Sequence, residues 1–364
     1  MSLHEIVPED AAVPPRRHPN DPPVQEAIDE LIESVAGQDA RAFDVRMVRE
    51  LLTAALKLIP DGRDTGELKL MSAAVKELRY AFQVFGHYPS PRKITIFGSA
   101  RTPEHHPDYA AAVDFSKRMA EAGWMSITGA GDGIMKAGHV GPGRDASFGV
   151  AIRLPFETTA NDVIEGDHKL IHFRYFFTRK LMFLFHAHAV ALFPGGFGTM
   201  DEAYETLCLI QTGKATMVPV VLVEGDDTKD HPTPYWEAFD HFAKVTLLAR
   251  GLINPEDLSL YRICQTPEEA VEHVCAFYRV FHSSRYVRDR YVMRLKHRIS
   301  DADVADINKQ FAVLVKQGRI EQTAALEEER GQHPDLPRLS FEHTRRNFGL
   351  VRQLIDRVNE CDPA

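Results

Sequence analysis

The sequence predicts an α/β protein, with a Rossmann-like parallel sheet core flanked by N- and C-terminal helical extensions. Three observations predict it. From Lys93 onward, short apolar runs alternate with amphipathic helical stretches, the rhythm of βα units and a parallel sheet. Glycine-bearing turns follow three of those runs and lead toward helices. Before and after this region, apolar residues recur at helical spacing instead.

The elements follow in order. Residues 1–24 are rich in proline and charge (Val13-Pro14-Pro15-Arg16-Arg17, Asp21-Pro22-Pro23) and read as a flexible or extended arm. From 24 to about 85 the pattern is helical, with Ala27, Leu31, Ile32 and Val35, then Val45, Val48, Leu52 and Leu56, on common faces. A helix over 67–85 precedes the breaker run Tyr88-Pro89-Ser90-Pro91, where a domain boundary is expected. This gives an N-terminal arm and helical extension at 1–88, a core at 89–282 and a C-terminal helical extension at 283–364. In the core, strands are expected at 94–97, 125–128, 148–153, 189–193 and 219–223. Helices are expected at 109–122, 134–138, 173–185, 200–212, 236–248 and 267–281. After about Ser283 the strands are expected to stop, leaving a charged helical segment with a loop at 331–337 and an amphipathic helix at 345–358.

Composition narrows the function classes. Of 364 residues, 44% are hydrophobic and 26% charged, so a large core can form without a disulfide scaffold. The net charge of −9 disfavours duplex nucleic acid as a partner, and a small anion would need a local positive site. Cys208, Cys264, Cys275 and Cys361 form no C-x-x-C pair and read as incidental thiols of a reducing compartment. No secretory leader and no membrane-length apolar run is seen, so a cytoplasmic protein without a membrane partner is expected.

Three turns carry the chemistry, and in an open α/β sheet all three should face one crevice at the carboxyl ends of the strands. The first holds Gly98 and Ser99, where a ligand could approach bare backbone and a hydroxyl; a plain tight turn would have the same residues. The second, with Gly129, Gly131, Asp132, Gly133 and Met135, offers backbone amides that suit an anion. It is not the dinucleotide fingerprint, because its third glycine comes one residue early. The third is Pro194-Gly195-Gly196-Phe197-Gly198-Thr199 after a buried-type strand. Its glycines bare amides at a helix start, and Thr199 can serve as N-cap and phosphate donor. Asp201 and Glu202 are expected in the first helical turn, either complementing the dipole or acting on a ligand. Upstream, Arg179 and Lys180 stand on an aromatic helix, as solvated cations or as a phosphate clamp and charge partner for Glu202. His186 and His188 read as a structural pair, and no metal-ligand spacing is evident.

The run Pro194-Gly195-Gly196-Phe197-Gly198-Thr199-Met200-Asp201-Glu202, preceded by Phe176-Phe177-Thr178-Arg179-Lys180, resembles the Lonely-guy (LOG) family of nucleotide phosphoribohydrolases, long labelled lysine decarboxylase-like. The resemblance extends over about residues 93–281. It implies a Rossmann-like fold, a dimer or higher homo-oligomer, and hydrolysis of purine (or cytokinin) nucleoside 5′-monophosphates to free base and ribose 5-phosphate, with no cofactor and no metal. On this resemblance Glu202 and Arg179 are the catalytic pair and Gly195 to Thr199 the phosphate loop. Gly98-Ser99 and the turn at 129–135 are further nucleotide-contacting segments. Leu154-Pro155-Phe156-Glu157 and Asn161 are similar to a segment of the long bacterial members, which implies a sugar or base contact for Glu157. The short plant-type members have Met-His-x-Arg-Lys before the loop and lack the extensions, so the chain is closer to the long type, which acts broadly on nucleoside monophosphates. Some long relatives answer to nucleotide effectors, and the extensions give room for one. Two other readings stay open: a non-catalytic nucleotide sensor or carrier, and a pyridoxal-phosphate decarboxylase using Lys180 or Lys214.

Overall fold

The computed structural model describes residues 17–36, 41–153, 160–226 and 233–364. Their contacts divide into two units, Met1–Lys76 and Glu77–Ala364. Most of the N-terminal arm and the segment holding Glu157 lie outside the described residues.

The first unit is helical. Helix α1 (Pro22–Val35) opens on two prolines, which suit a first turn whose amides have no intrahelical acceptor. Helix α2 (Ala42–Lys57) packs beside it, with Gln25 Nε2 donating to Thr53 Oγ1 at 3.2 Å and Arg49 paired with Asp29. Helix α3 (Thr65–Gly86) begins in this unit and ends in the second.

The second unit is built on a seven-stranded parallel sheet. Its strands are β1 (Lys93–Phe97), β2 (Met125–Thr128), β3 (Ser147–Ile152), β4 (Leu170–Phe173), β5 (Ala189–Leu192), β6 (Val220–Val223) and β7 (Arg262–Cys264). Their order is β4-β3-β2-β1-β5-β6-β7. Strands β1, β2, β5 and β6 are buried at every residue, as a parallel sheet covered on both faces requires. The connecting helices are α4 (Pro107–Glu121), α5 (Ile134–Val140), α6 (Phe176–Phe185), α7 (Phe197–Gln211), α8 (Tyr235–Phe242) and α9 (Pro267–Ala276), with a π-helical turn at Ala243–Leu248. The chain runs outward from β1 to β4, then returns to lay β5 on the other side of β1. The β1/β5 gap is therefore the topological switch point, where ligands of open α/β sheets bind.

The α/β core matches the sequence expectation, and two short strands add to it. Strand β4 runs directly into the aromatics of α6, so the two read as one helix from the sequence. Strand β7 has three residues, too few to show a period.

The C-terminal segment differs from the expectation. It contains a four-stranded antiparallel sheet, order β10-β11-β9-β8, made of β8 (Phe281–Val287), β9 (Arg290–Leu295), β10 (Val315–Thr323) and β11 (Arg338–His343). Helices α10 (Asp301–Gln310) and α11 (Phe348–Asn359) complete it. Strands β9 and β11 escaped detection because they bury charge, and β8 and β10 because most of their residues are polar and partly exposed. Arg294 and Arg338 both clasp the buried carboxylate of Glu329, with Nε–O distances of 2.9 Å each, so alternation of apolar and polar residues is lost. Helix α11 buries Val351, Leu354, Ile355 and Val358 as its spacing predicts. It starts three residues later than the pattern suggests, because Arg345 and Asn347 take left-handed φ values of 60° and 58°.

Candidate functional site

At the switch point the ends of β1 and β5 are tied together. The Ser99 amide donates to the Pro194 carbonyl at 3.1 Å, and the Ser99 carbonyl accepts from Ile134 N at 3.0 Å. All three glycine turns thus meet around one cavity of about 900 Å³. Its walls include Gly98, Ser99, Gly129, Met135, Arg179 and the run 195–202.

The third turn enters its helix earlier than expected. Helix α7 begins at Phe197 with Gly196 as N-cap, so Thr199 is not the cap but the third helical residue. Asp201 and Glu202 therefore stand in the second turn, and the first turn carries no acid. The amides of Phe197, Gly198 and Thr199 have no intrahelical acceptor and carry the positive end of the helix dipole. An anion meets no repelling carboxylate there. Gly195 must be glycine, because a Cβ would overlap Thr199 Oγ1. Phe197 is almost wholly exposed.

Helix α6 presents the cations. Its N-terminus is held by Glu77, which accepts from the Arg174 amide at 2.8 Å and from Thr178 Oγ1 at 2.6 Å. One turn on, Arg179 Nε donates to the Val150 carbonyl at 2.8 Å. The Arg179 guanidinium lies over the Phe183 ring at 5.0 Å and against Gly129, where a Cβ would collide with it. Lys180 sits behind the cavity wall, 2.8 Å from Asp201 and 2.7 Å from Glu205.

Glu202 is the distinctive group. Its side chain is nearly buried, yet its Oε2 has no hydrogen-bond partner, and Lys180 Nζ is 3.8 Å away. Burial pushes its pKa up to about 7, reinforced by Glu205 and Asp201 and opposed by Lys180 and Arg179. A carboxyl of that pKa, lining a cavity beside a helix start whose amides lack intrahelical acceptors, can hold or release a proton near neutral pH.

The remaining expected residues support the site from outside its lining. Gly131, Asp132 and Gly133 belong to the second turn, but only Gly129 and Met135 of that turn reach the cavity. Asn161 braces the turn: its Nδ2 donates to the Gly131 carbonyl at 3.0 Å and its amide N–H to the Ala130 carbonyl at 2.8 Å. The same side chain meets the buried ring of His139 at 3.1 Å. His188 Nδ1 accepts from the Lys93 amide at 3.2 Å, and the His186 ring stacks on Phe85 at 4.1 Å. Among the described residues no cluster of three or more His, Cys, Asp or Glu side chains is arranged to hold a metal.

Sequence reasoning missed Glu77 and Tyr235. The Tyr235 hydroxyl donates to the Gly195 carbonyl at 2.6 Å, and its amide donates to Glu224 at 2.7 Å. This chain links the end of β6 to the glycine loop. Neither residue lies near a motif, and only tertiary structure brings them there.

Residues 130–274 match the family described as "Possible lysine decarboxylase". That match takes in Arg179 and the whole glycine loop with Glu202, the segment that also carries the LOG resemblance. No curated protein matches the chain. Among solved structures, the chain is similar to a molybdenum cofactor binding protein from the phototrophic bacterium Rippkaea orientalis, with 20% identity over 52% of this chain and 98% of that one, at a TM-score of 0.36. It is also similar to a molybdenum cofactor carrier protein from Chlamydomonas reinhardtii, with 20% identity over 51% and 96% of the two chains and a TM-score of 0.32. No described helix is long and apolar enough to cross a membrane.

Proposed function

We propose that this protein is of the LOG type and hydrolyses the N-glycosidic bond of purine nucleoside 5′-monophosphates, releasing the base and ribose 5-phosphate. One observation carries the reading: the buried, unpartnered Glu202 oxygen with its pKa near 7, on the same short helix turn that follows the anion-binding amides. A protein that only carried a nucleotide would need those amides but not an acid held at a desolvation cost beside them.

The phosphate docks on the first-turn amides of α7 and the Thr199 hydroxyl, and that remote binding fixes the ribose. As the bond from C1′ to the base nitrogen lengthens, positive charge grows on the sugar, and the ionised Glu202 stabilises it. Water adds to C1′ and gives a proton to Glu202, and that proton is returned, directly or through solvent, to the departing base nitrogen, so Glu202 is ionised again and the products balance as base plus ribose 5-phosphate. Arg179 holds the phosphate or orients Glu202. Lys180, gripped by Asp201 and Glu205 strongly enough to overcome burial, keeps a raised pKa and stays an ammonium. That is the opposite of what a Schiff-base lysine needs, which disfavours a pyridoxal-phosphate decarboxylase.

We further propose that the chain acts in the cytoplasm as a homo-oligomer, with no nucleic acid or membrane partner. Phe176, Phe177, Leu181 and Phe185 of α6 are exposed, a set of large apolar side chains on one helix that a second copy would cover. The test is incubation with AMP, with chromatography for adenine and a separate assay for ribose 5-phosphate. Both products should appear in equal amounts. Near-normal turnover in both Glu202→Gln and Arg179→Ala would rule the site out, and tight AMP binding without products would leave a carrier.

A further inference from the structure

Helix α6 brings Arg179 to the cavity, yet its own sequence leaves open which way it faces. Met182 and Phe183 are buried, while Phe176, Phe177, Leu181 and Phe185 are exposed, so large apolar side chains lie on both faces. A hydrophobic pattern of that kind specifies the rotation of a helix poorly. The chemistry depends on that rotation. A roll of one residue, about 100°, would turn Lys180 toward the place of Arg179. The helix start does not settle the matter, because Tyr175 provides no side-chain cap and the first turn holds no acid.

One polar contact removes the ambiguity. Thr178, buried at the third helical position, donates its hydroxyl to Glu77 Oε2 at 2.6 Å. The other oxygen of the same carboxylate accepts the Arg174 amide at 2.8 Å, just before the helix. Glu77 thus grips the first turn from both ends. A roll of α6 would take the Thr178 donor away from this half-buried carboxylate, so one rotation alone leaves it satisfied. The carboxylate stands on a packed support: on α3, Ala81, Val84 and Phe85 are buried, and the Phe85 ring stacks on Phe148 at 4.5 Å. Arg179 follows Thr178 directly, and in this rotation its Nε reaches the Val150 carbonyl at 2.8 Å while Lys180 turns to Asp201 and Glu205.

We propose that Glu77 is a positioning residue for the reaction: by fixing the rotation of α6 it keeps the Arg179 guanidinium in the cavity that Glu202 also lines. The inference rests on the proposed hydrolysis and adds to it a residue that lies outside the cavity. Its effect extends to Glu202. That carboxyl faces Lys180 and Arg179 from α6, which favour its ionised form, and Glu205 and Asp201 from its own helix, which oppose it. Loosening α6 takes cationic charge away, and Glu202 then keeps its proton to higher pH.

The test compares Glu77→Ala with Glu77→Gln in the full chain. Glutamine keeps both contacts: its carbonyl accepts the Arg174 amide, and its amino group donates to the Thr178 hydroxyl, which turns to the Tyr175 carbonyl 2.9 Å away. Glu77→Ala should lower kcat/KM for AMP about tenfold, with Glu77→Gln within about twofold of the parent. In an Arg179→Ala background, Glu77→Ala should change the rate by less than about twofold, because no guanidinium is left to place. The acid limb of the pH–rate profile should move up in Glu77→Ala, whereas a smaller folded fraction would scale the rate without moving it. The titration of Glu202 is also read directly, by NMR of protein labelled with carbon-13 in the glutamate carboxyls and assigned with Glu202→Gln. This tests the coupling even if AMP is not hydrolysed, so the two ideas can fail separately. The Glu202 midpoint should rise in Glu77→Ala and stay in place in Glu77→Gln. Thr178→Val keeps the side-chain shape and removes the hydroxyl; it should raise the midpoint too, and it carries the test if Glu77→Ala does not fold. The proposal is overturned if the folded variant titrates Glu202 where the parent does, or if the losses from Glu77→Ala and Arg179→Ala simply multiply.

Discussion

Lys180 lies 3.8 Å from Glu202 yet makes its close contacts with Asp201 and Glu205 instead, at 2.8 and 2.7 Å. The ammonium therefore lowers the Glu202 pKa without satisfying its carboxylate, and burial wins, leaving the group near 7. In the proposed mechanism Glu202 must be ionised. kcat/KM for AMP should then be flat above about pH 7 and fall about tenfold per unit below it. Removing the cation by Lys180→Met should move the midpoint to higher pH, since Lys180 favours the charged form. A pH–rate profile of both proteins checks this; a midpoint that moves down, or none between pH 5 and 9, contradicts it.

The same shift has a stability consequence. The folded pKa of Glu202 is raised from 4.5 to about 7, so between those values the folded state binds more protons than the unfolded one. Stability contributed by this group is present below pH 4.5 and is lost as pH rises through 7. Glu202→Gln removes the titration. Relative to the parent, the variant should gain stability with rising pH, by at most about 3 kcal/mol at pH 8 compared with pH 4.5. Urea unfolding at the two pH values measures it, and an equal difference at both would show that Glu202 is not desolvated.

Tyr235 ties α8 to the phosphate loop by one hydrogen bond, from its hydroxyl to the Gly195 carbonyl. Tyr235→Phe keeps the ring and deletes that bond, a loss of about 1 kcal/mol in loop order. The loop binds the phosphate in ground and transition states alike. KM for AMP should therefore rise about fivefold with kcat little changed. Steady-state kinetics decide, and a fall in kcat at constant KM would place Tyr235 in the chemical step instead.

What the sequence disclosed and what it hid follow from where the information lies. Five of the seven strands of the core were legible because each is a compact apolar run between turns, whereas β4 merges with α6 and β7 is too short to show a period; the glycine turns were legible because their residues are contiguous. Their convergence followed from one topological rule. Tyr235 and Glu77 were illegible because their roles arise from contacts 40 and about 100 residues away. The antiparallel sheet was illegible for another reason: Arg294 in β9 and Arg338 in β11 put buried charges where apolar side chains are expected, and their partner Glu329 lies outside the strands. The start of α7 was misplaced because Phe197 and Gly198 look like loop residues, yet they form the first helical turn.

That buried triad supports the last prediction. Glu329 is 1% exposed and accepts from Arg294 Nε and Nη2 and from Arg338 Nε at 2.8–2.9 Å. Arg338 is also bound to the carbonyls of Gln332, His333 and Leu336, so it cannot swing out to water. Burial raises the Glu329 pKa, but the two guanidiniums outweigh it and hold the group at about 2. Glu329→Ala would strand two buried cations, which costs about 3–5 kcal/mol where a partner is removed from a buried pair. Because the folded pKa is depressed, the stabilisation is present above pH 4.5 and is lost as pH falls toward 2. Denaturant unfolding at pH 7 should show the full loss for Glu329→Ala, and the gap between variant and parent should narrow on acidification. A variant as stable as the parent at pH 7 would mean that the triad fixes the strand pairing of β9 and β11 without stabilising it.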